Sequence, residues 1–100
     1  MTTDTQVLII PVIVQPVEGA TEQNKVKVSG TASKTEKGDV VEIAEAGSGH
    51  LLLRREVSAD GHWSGTLGED LPKGVHMITA RLIRGTGTGP WSPARTFKVD

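Results

Sequence analysis

The chain contains no cysteine, which removes disulfides, iron–sulfur clusters, thiolate zinc sites and cysteine nucleophiles together. An exported form would have to be stable through its core alone. Aromatic residues are nearly absent as well. Only Trp63, Trp91 and Phe97 occur, so the interior must be aliphatic, built from Val, Ile and Leu. An excess of charge of either sign is also missing: 11 Lys and Arg stand against 12 Asp and Glu, a formal net charge of -1. That balance offers no long-range attraction to nucleic acid or anionic membrane, so nucleic acid is not an expected partner. The longest apolar run, Val7 to Val14, is too short to span a bilayer and is broken by Pro11, so no membrane insertion is expected. The opening Met1-Thr2-Thr3-Asp4-Thr5-Gln6 lacks the basic region of a signal peptide and reads as a flexible tail over residues 1–6. A domain excised from a longer exported protein would look the same, which leaves the compartment open between cell surface, secreted protein and virion.

What the chain does have is turn chemistry and β-branched residues. With 36% hydrophobic and 23% charged residues it is an ordinary globular composition, and 100 residues make one domain, 1–100. Twelve glycines and five prolines separate short apolar stretches at the spacing expected of a sandwich. The first stretch, Val7 to Val14, holds Pro11 and so suits an edge strand. In Lys25 to Ala32, Val26, Val28 and Gly30 alternate with Lys25, Lys27 and Ser29, one face dry and one wet. Strands are expected next over Asp39 to Ala46, with Val41 and Ile43 inward, and over His50 to Val57, after a Gly47-Ser48-Gly49 turn. Asp60-Gly61 signals a hairpin into His62 to Leu67, which sets Trp63, Gly65 and Leu67 on one face. Val75 to Arg84 is the longest strand, a Gly/Thr loop covers Gly85 to Pro90, and Arg95 to Val99 closes the chain with Phe97 and Val99 inward. No window has a helical period. The fold class is all-β, a sandwich of about seven antiparallel strands in two sheets.

These residues also resemble a known family. The succession Val28-Ser29-Gly30-Thr31-Ala32, Gly38-Asp39-Val40-Val41, Ser58-Ala59-Asp60-Gly61-His62-Trp63-Ser64 is similar to the bacterial immunoglobulin-like repeat. So are Leu71 to Ala80 and the closing Trp91 to Val99, whose Trp-Ser-Pro also looks like the last strand of some fibronectin type III domains. The match runs from about Val12 to Asp100. It implies an immunoglobulin-like sandwich of the kind found in tandem in adhesins, surface proteins, secreted enzymes and phage tails. Such domains mostly serve as spacers or modest binding modules. Arg84 to Gly89 lacks the acidic residue that many members carry there, so the calcium sites of some arrays are not implied for this chain.

Few residues invite chemistry. His50, His62 and His76 are too widely spaced for a zinc site, and they read as structural or solvated. The carboxylates Glu42, Glu45, Asp60, Glu69 and Asp70 are scattered, and no pair converges as general acid and base must. Glu69-Asp70 beside Gly68 reads as solvated loop charge before it reads as a weak calcium site. Ser48 lacks the frame of a nucleophile elbow, and Gly85-x-Gly87-x-Gly89 precedes Pro90, not a helix. No catalytic residue, metal or cofactor is expected.

The one candidate contact is Trp91, between Pro90 and Ser92, with Arg81, Arg84 and Arg95 near it in the pattern. Either the ring is exposed to stack on a sugar or a partner, or neighbouring guanidinium groups cover it. Leu52, Met77 and Ile83 suggest a second apolar surface, for inter-domain or oligomer contact or simply as scattered exposure. The expected role is a non-catalytic structural or interaction module, for spacing, attachment or adhesion, whose partners are neighbouring domains or another protein. The alternative is a carbohydrate-binding module using Trp91, with a glycan as partner.

Overall fold

The computed structural model describes residues 8–100. The expected tail over 1–6 and the start of the first apolar run at Val7 lie outside the described residues. Among the described residues nine strands follow one another: β1 (Val12–Gln15), β2 (Thr21–Glu22), β3 (Lys27–Thr31), β4 (Val40–Glu45), β5 (Leu51–Glu56), β6 (His62–Thr66), β7 (Gly74–Arg84), β8 (Gly87–Thr88) and β9 (Arg95–Val99). One sheet has the order β1-β3-β6 and the other β2-β9-β7-β4-β5, with β8 folded back on β7. The described residues form no helix. The all-β, two-sheet sandwich read from the alternation is therefore the fold.

Period-two alternation supplies the core. Val26 and Val28 from one sheet meet Val41, Ile43, Ile78, Ala80, Leu82, Phe97 and Val99 from the other in a single cluster. Trp63 joins it, almost wholly buried, and donates its indole N–H to the Thr31 carbonyl at 3.2 Å. The ring lies where it does because Gly30, its cross-strand partner, has no side chain. A Cβ on Gly30 would collide with the Val12 carbonyl and the Trp63 ring. Gly65 does the same for the opposite sheet, since a Cβ there would come within 2.8 Å of Leu53 Cδ2.

The structure departs from the sequence expectations at five places. The first strand begins only after Pro11, whose missing N–H cannot join a ladder. Two short strands, β2 and β8, are added, and β2 runs parallel to β9, so the sandwich is not wholly antiparallel. Ala59-Asp60-Gly61 is not a hairpin: β5 and β6 belong to different sheets, and the turn carries the chain across the sandwich. Gly61 alone takes positive φ there, and the turn is closed by Gly61 N–H to the Ser58 carbonyl at 2.9 Å. Leu52 is not a surface residue. A bulge between Ile43 and Ala44 leaves it as the extra residue of β5, and it turns into the core while Leu53 packs against the same cluster. The proposed outer apolar surface thus loses Leu52, leaving an exposed Met77 and a half-buried Ile83. Finally, the Gly/Thr loop is held in place by β8, with Gly89 N–H donating to the Leu82 carbonyl at 2.8 Å.

Candidate functional site

The outer face of the larger sheet carries one polar row. In the register of β4, Glu42 lies opposite Arg54 on β5 and Arg81 on β7. Its carboxylate accepts from Arg81 Nε at 2.9 Å and faces Arg54 Nε at 3.4 Å. Arg81 in turn places its guanidinium carbon 4.4 Å from the centroid of the Trp91 ring. That stacking is worth about 0.5–1 kcal/mol at an exposed site. The row thus reads Trp91, Arg81, Glu42, Arg54.

Trp91 is held there by its neighbour. Ser92 N–H donates to the Ala80 carbonyl at 2.7 Å, and Ser92 Oγ accepts from Ala80 N–H at 3.0 Å. Thr79 Oγ1 closes the latch on the Ser92 carbonyl at 2.6 Å. Pro90 and Pro93 restrict the backbone on either side. The segment is therefore fixed against β7 although it is not a strand, and 40% of Trp91 stays exposed.

The other two arginines go elsewhere. Arg84 grips Asp39 with two bonds, Nε to Oδ1 at 2.9 Å and an η nitrogen to Oδ2 at 2.8 Å. Asp39 is fully buried, and this hydrogen-bonded cation holds its carboxyl below the ordinary carboxylate value while raising Arg84 above its own. Arg95 donates to the Pro16 carbonyl at 2.8 Å and sits 3.7 Å from Glu18. Of the three arginines grouped with Trp91 by pattern, the structure brings only Arg81 to the ring.

A cleft of about 320 Å³ opens beside Trp91, lined by Glu45, Ala46, Gly47, Gly49, Thr79, Ser92 and Ala94 as well as the ring. Arg81, which stacks on the ring, does not line this cleft. The floor comes from the turn between β4 and β5, where Gly47 and Gly49 take φ of 95° and 75°. By sequence alone Glu45 is a scattered carboxylate and Gly47-Ser48-Gly49 a turn. Their meeting with Trp91 depends on the pairing of β4 with β7.

The histidines do not converge. His50 pairs with Glu69 at 2.8 Å, His62 with Asp60 at 3.2 Å, and His76 Nε2 donates to the Pro72 carbonyl, 2.6 Å away. Asp60 lies below its ordinary pKa because of hydrogen bonds from Ser58 and then His62. Among the described residues no three His, Asp or Glu side chains form a metal-sized group.

Comparison with known proteins places this architecture. No family model matches the sequence, and no curated protein matches it significantly. Solved structures do. The fibronectin(III)-like modules of Clostridium thermocellum CbhA superpose with a TM-score of 0.62 at 17% identity, over 92% of this chain and 94% of theirs. CopC from Methylosinus trichosporium OB3b superposes with a TM-score of 0.57 at 15% identity, over 92% of this chain and 93% of that one. An engineered protein matches at 0.54 and 18% identity, over 90% of this chain but 20% of its own length. Such likeness establishes the fold: an immunoglobulin/fibronectin type III-like β-sandwich.

Proposed function

We propose that this sandwich is a non-catalytic interaction module, a spacer or attachment domain that packs against a neighbouring domain or another protein of a surface, secreted or phage-type assembly. The observation that carries this reading is the chemistry of one sheet edge. Sandwich edges are normally blunted by charge or cover, because unpaired backbone invites pairing with another chain. Here β2 offers Glu22, β5 offers Arg54, Arg55 and Glu56, and β6 offers His62, Ser64 and Thr66. The β1 edge and the segment leading into it have no charged side chain from Leu8 to Gln15, and Leu8, Ile10, Val12 and Val14 all stand exposed. A groove of about 510 Å³ runs beside them, between Ile10–Ile13 and Ser92–Arg95. Hydrogen exchange of the isolated domain and of the domain in its native assembly is expected to differ most at Ile10 to Gln15. Equal exchange there would sink the reading.

A second reading, carbohydrate binding at Trp91, is favoured by the cleft itself. An aromatic wall beside a carboxylate and a bare floor suits a sugar ring. Titration with soluble oligosaccharides is expected to shift Trp91 fluorescence and the Gly47 and Gly49 amides. Unmoved signals across a broad glycan panel would remove it.

A further inference from the structure

Resting on the glycan reading of the Trp91 cleft, we infer that the cleft takes a single uncharged sugar ring which presents adjacent hydroxyls to Glu45. Glu45 is the sole ionisable side chain in the lining. Its carboxylate is weakly engaged: Ser48 Oγ lies 3.4 Å from Oε1 and His76 Nδ1 lies 3.9 Å from Oε2. An ionised carboxylate has room for about four hydrogen bonds, and those from hydroxyl groups are short and strong. Vicinal hydroxyls supply such donors in the geometry that the two oxygens offer.

The same arrangement selects against an acidic sugar. A uronate or sulfate would bring its charge beside Glu45 with no cation in the lining to receive it. Arg81, stacked on the ring, is already held by Glu42 at 2.9 Å, while Arg84 and Arg95 are committed to Asp39 and Pro16. A cationic ligand is also disfavoured on the ring, because Arg81 already places a guanidinium on the indole. Size points to one ring. The cleft is near the small end of ligand pockets, which run to roughly 300–1,000 Å³. Its floor of Ala46, Gly47, Gly49 and Ala94 has no side chain beyond a methyl group, so a ring can lie flat beside Trp91. The positive φ of Gly47 and Gly49 keeps that floor bare, since other residues are strained there.

The test is an amide-shift titration of the full chain with neutral gluco-, xylo- and manno-oligosaccharides, with an oligogalacturonate, and with a lysine-rich peptide. At least one neutral sugar is expected to move Gly47, Gly49 and the Trp91 indole, with the oligogalacturonate and the peptide inert. Glu45→Gln should weaken that binding by about tenfold, and Trp91→Ala should abolish it, both with unchanged circular dichroism. Arg84→Lys, remote from the cleft, should bind as the parent does. If the oligogalacturonate binds as tightly as any neutral sugar, or Glu45→Gln binds undiminished, the inference fails and the glycan reading survives. If the peptide moves these signals and no sugar does, or nothing does, both fail together.

Discussion

The two tryptophans of this chain do opposite work. Trp63 is buried between the sheets, its N–H bonded to Thr31 and its ring fitted over a glycine. Trp91 lies on the outside of the larger sheet, with an arginine on its ring and a cleft at its side. The first is held by the hydrophobic effect and close packing, which act on every atom of the ring. The second is held through its neighbour Ser92, whose backbone and hydroxyl bind β7, so the ring itself is left available. The contrast teaches that the same residue type can be fixed through its side chain or through its backbone. Only the latter leaves a face for a partner. The two arginine–carboxylate pairs repeat the contrast, Arg84–Asp39 buried on the acid side and Arg81–Glu42 closer to solvent.

Trp63→Ala tests the buried end of this comparison and should have the largest effect. It is expected to cost about 3–5 kcal/mol in urea unfolding, a large part of a typical domain's roughly 5–15 kcal/mol. Arg84→Ala comes next, because it leaves Asp39 buried with its backbone bond from Glu36 but no cation. The loss should be smaller than that of Trp63→Ala, because Arg84 itself is partly exposed. Acid unfolding should read the same pair. The Asp39 pKa is depressed in the folded state, so its contribution is complete above the unfolded carboxylate range and is lost as pH falls through the depressed value. Without Arg84, burial raises that carboxyl, and the acid midpoint is expected to move to higher pH; an unmoved midpoint would show that the pair is not coupled to stability.

The exposed end should respond weakly. Trp91→Ala is expected to cost no more than about 1 kcal/mol, the scale of one surface cation–π contact, and a loss near that of Trp63→Ala would erase the distinction. The smallest effect is spectroscopic. Acrylamide should quench the emission of Trp63→Phe, which keeps only Trp91, more strongly than that of Trp91→Phe.

Much of this was legible from the residues because a pleated strand sorts its side chains by parity. Val26, Val28, Val41, Ile43, Phe97 and Val99 face inward as alternation requires. Parity also contained the answer about the arginines. Arg84 shares its face with Ala80 and Leu82, and Arg95 with Phe97, so both start from the core side and reach ends and edges of the sandwich, while Arg81 alone starts from the outer face. What parity could not show was Leu52, because a bulge resets the alternation by one residue. Nor could local turn chemistry separate a hairpin from a crossing. Asp60-Gly61 makes a tight turn in either case, and which sheet β6 joins is decided by Trp63 meeting Gly30, a partner far back in the chain. The cleft is the furthest from local reading, since Glu45 and Trp91 meet only when β4 and β7 pair.

The parallel pairing of β2 with β9 has a mechanical meaning. The two strands lie side by side near opposite ends of the described chain, joined through Gly19 N–H to Thr96, Lys98 N–H to Ala20 and Asp100 N–H to Glu22. Tension applied to the chain before β2 and after β9 would pull parallel neighbours in opposite directions along their length. These bonds would then bear the load together in shear, instead of opening one after another as in a zipper. Were the domain joined to others in a line, as proposed above, this pairing would fasten it against the force such a line transmits.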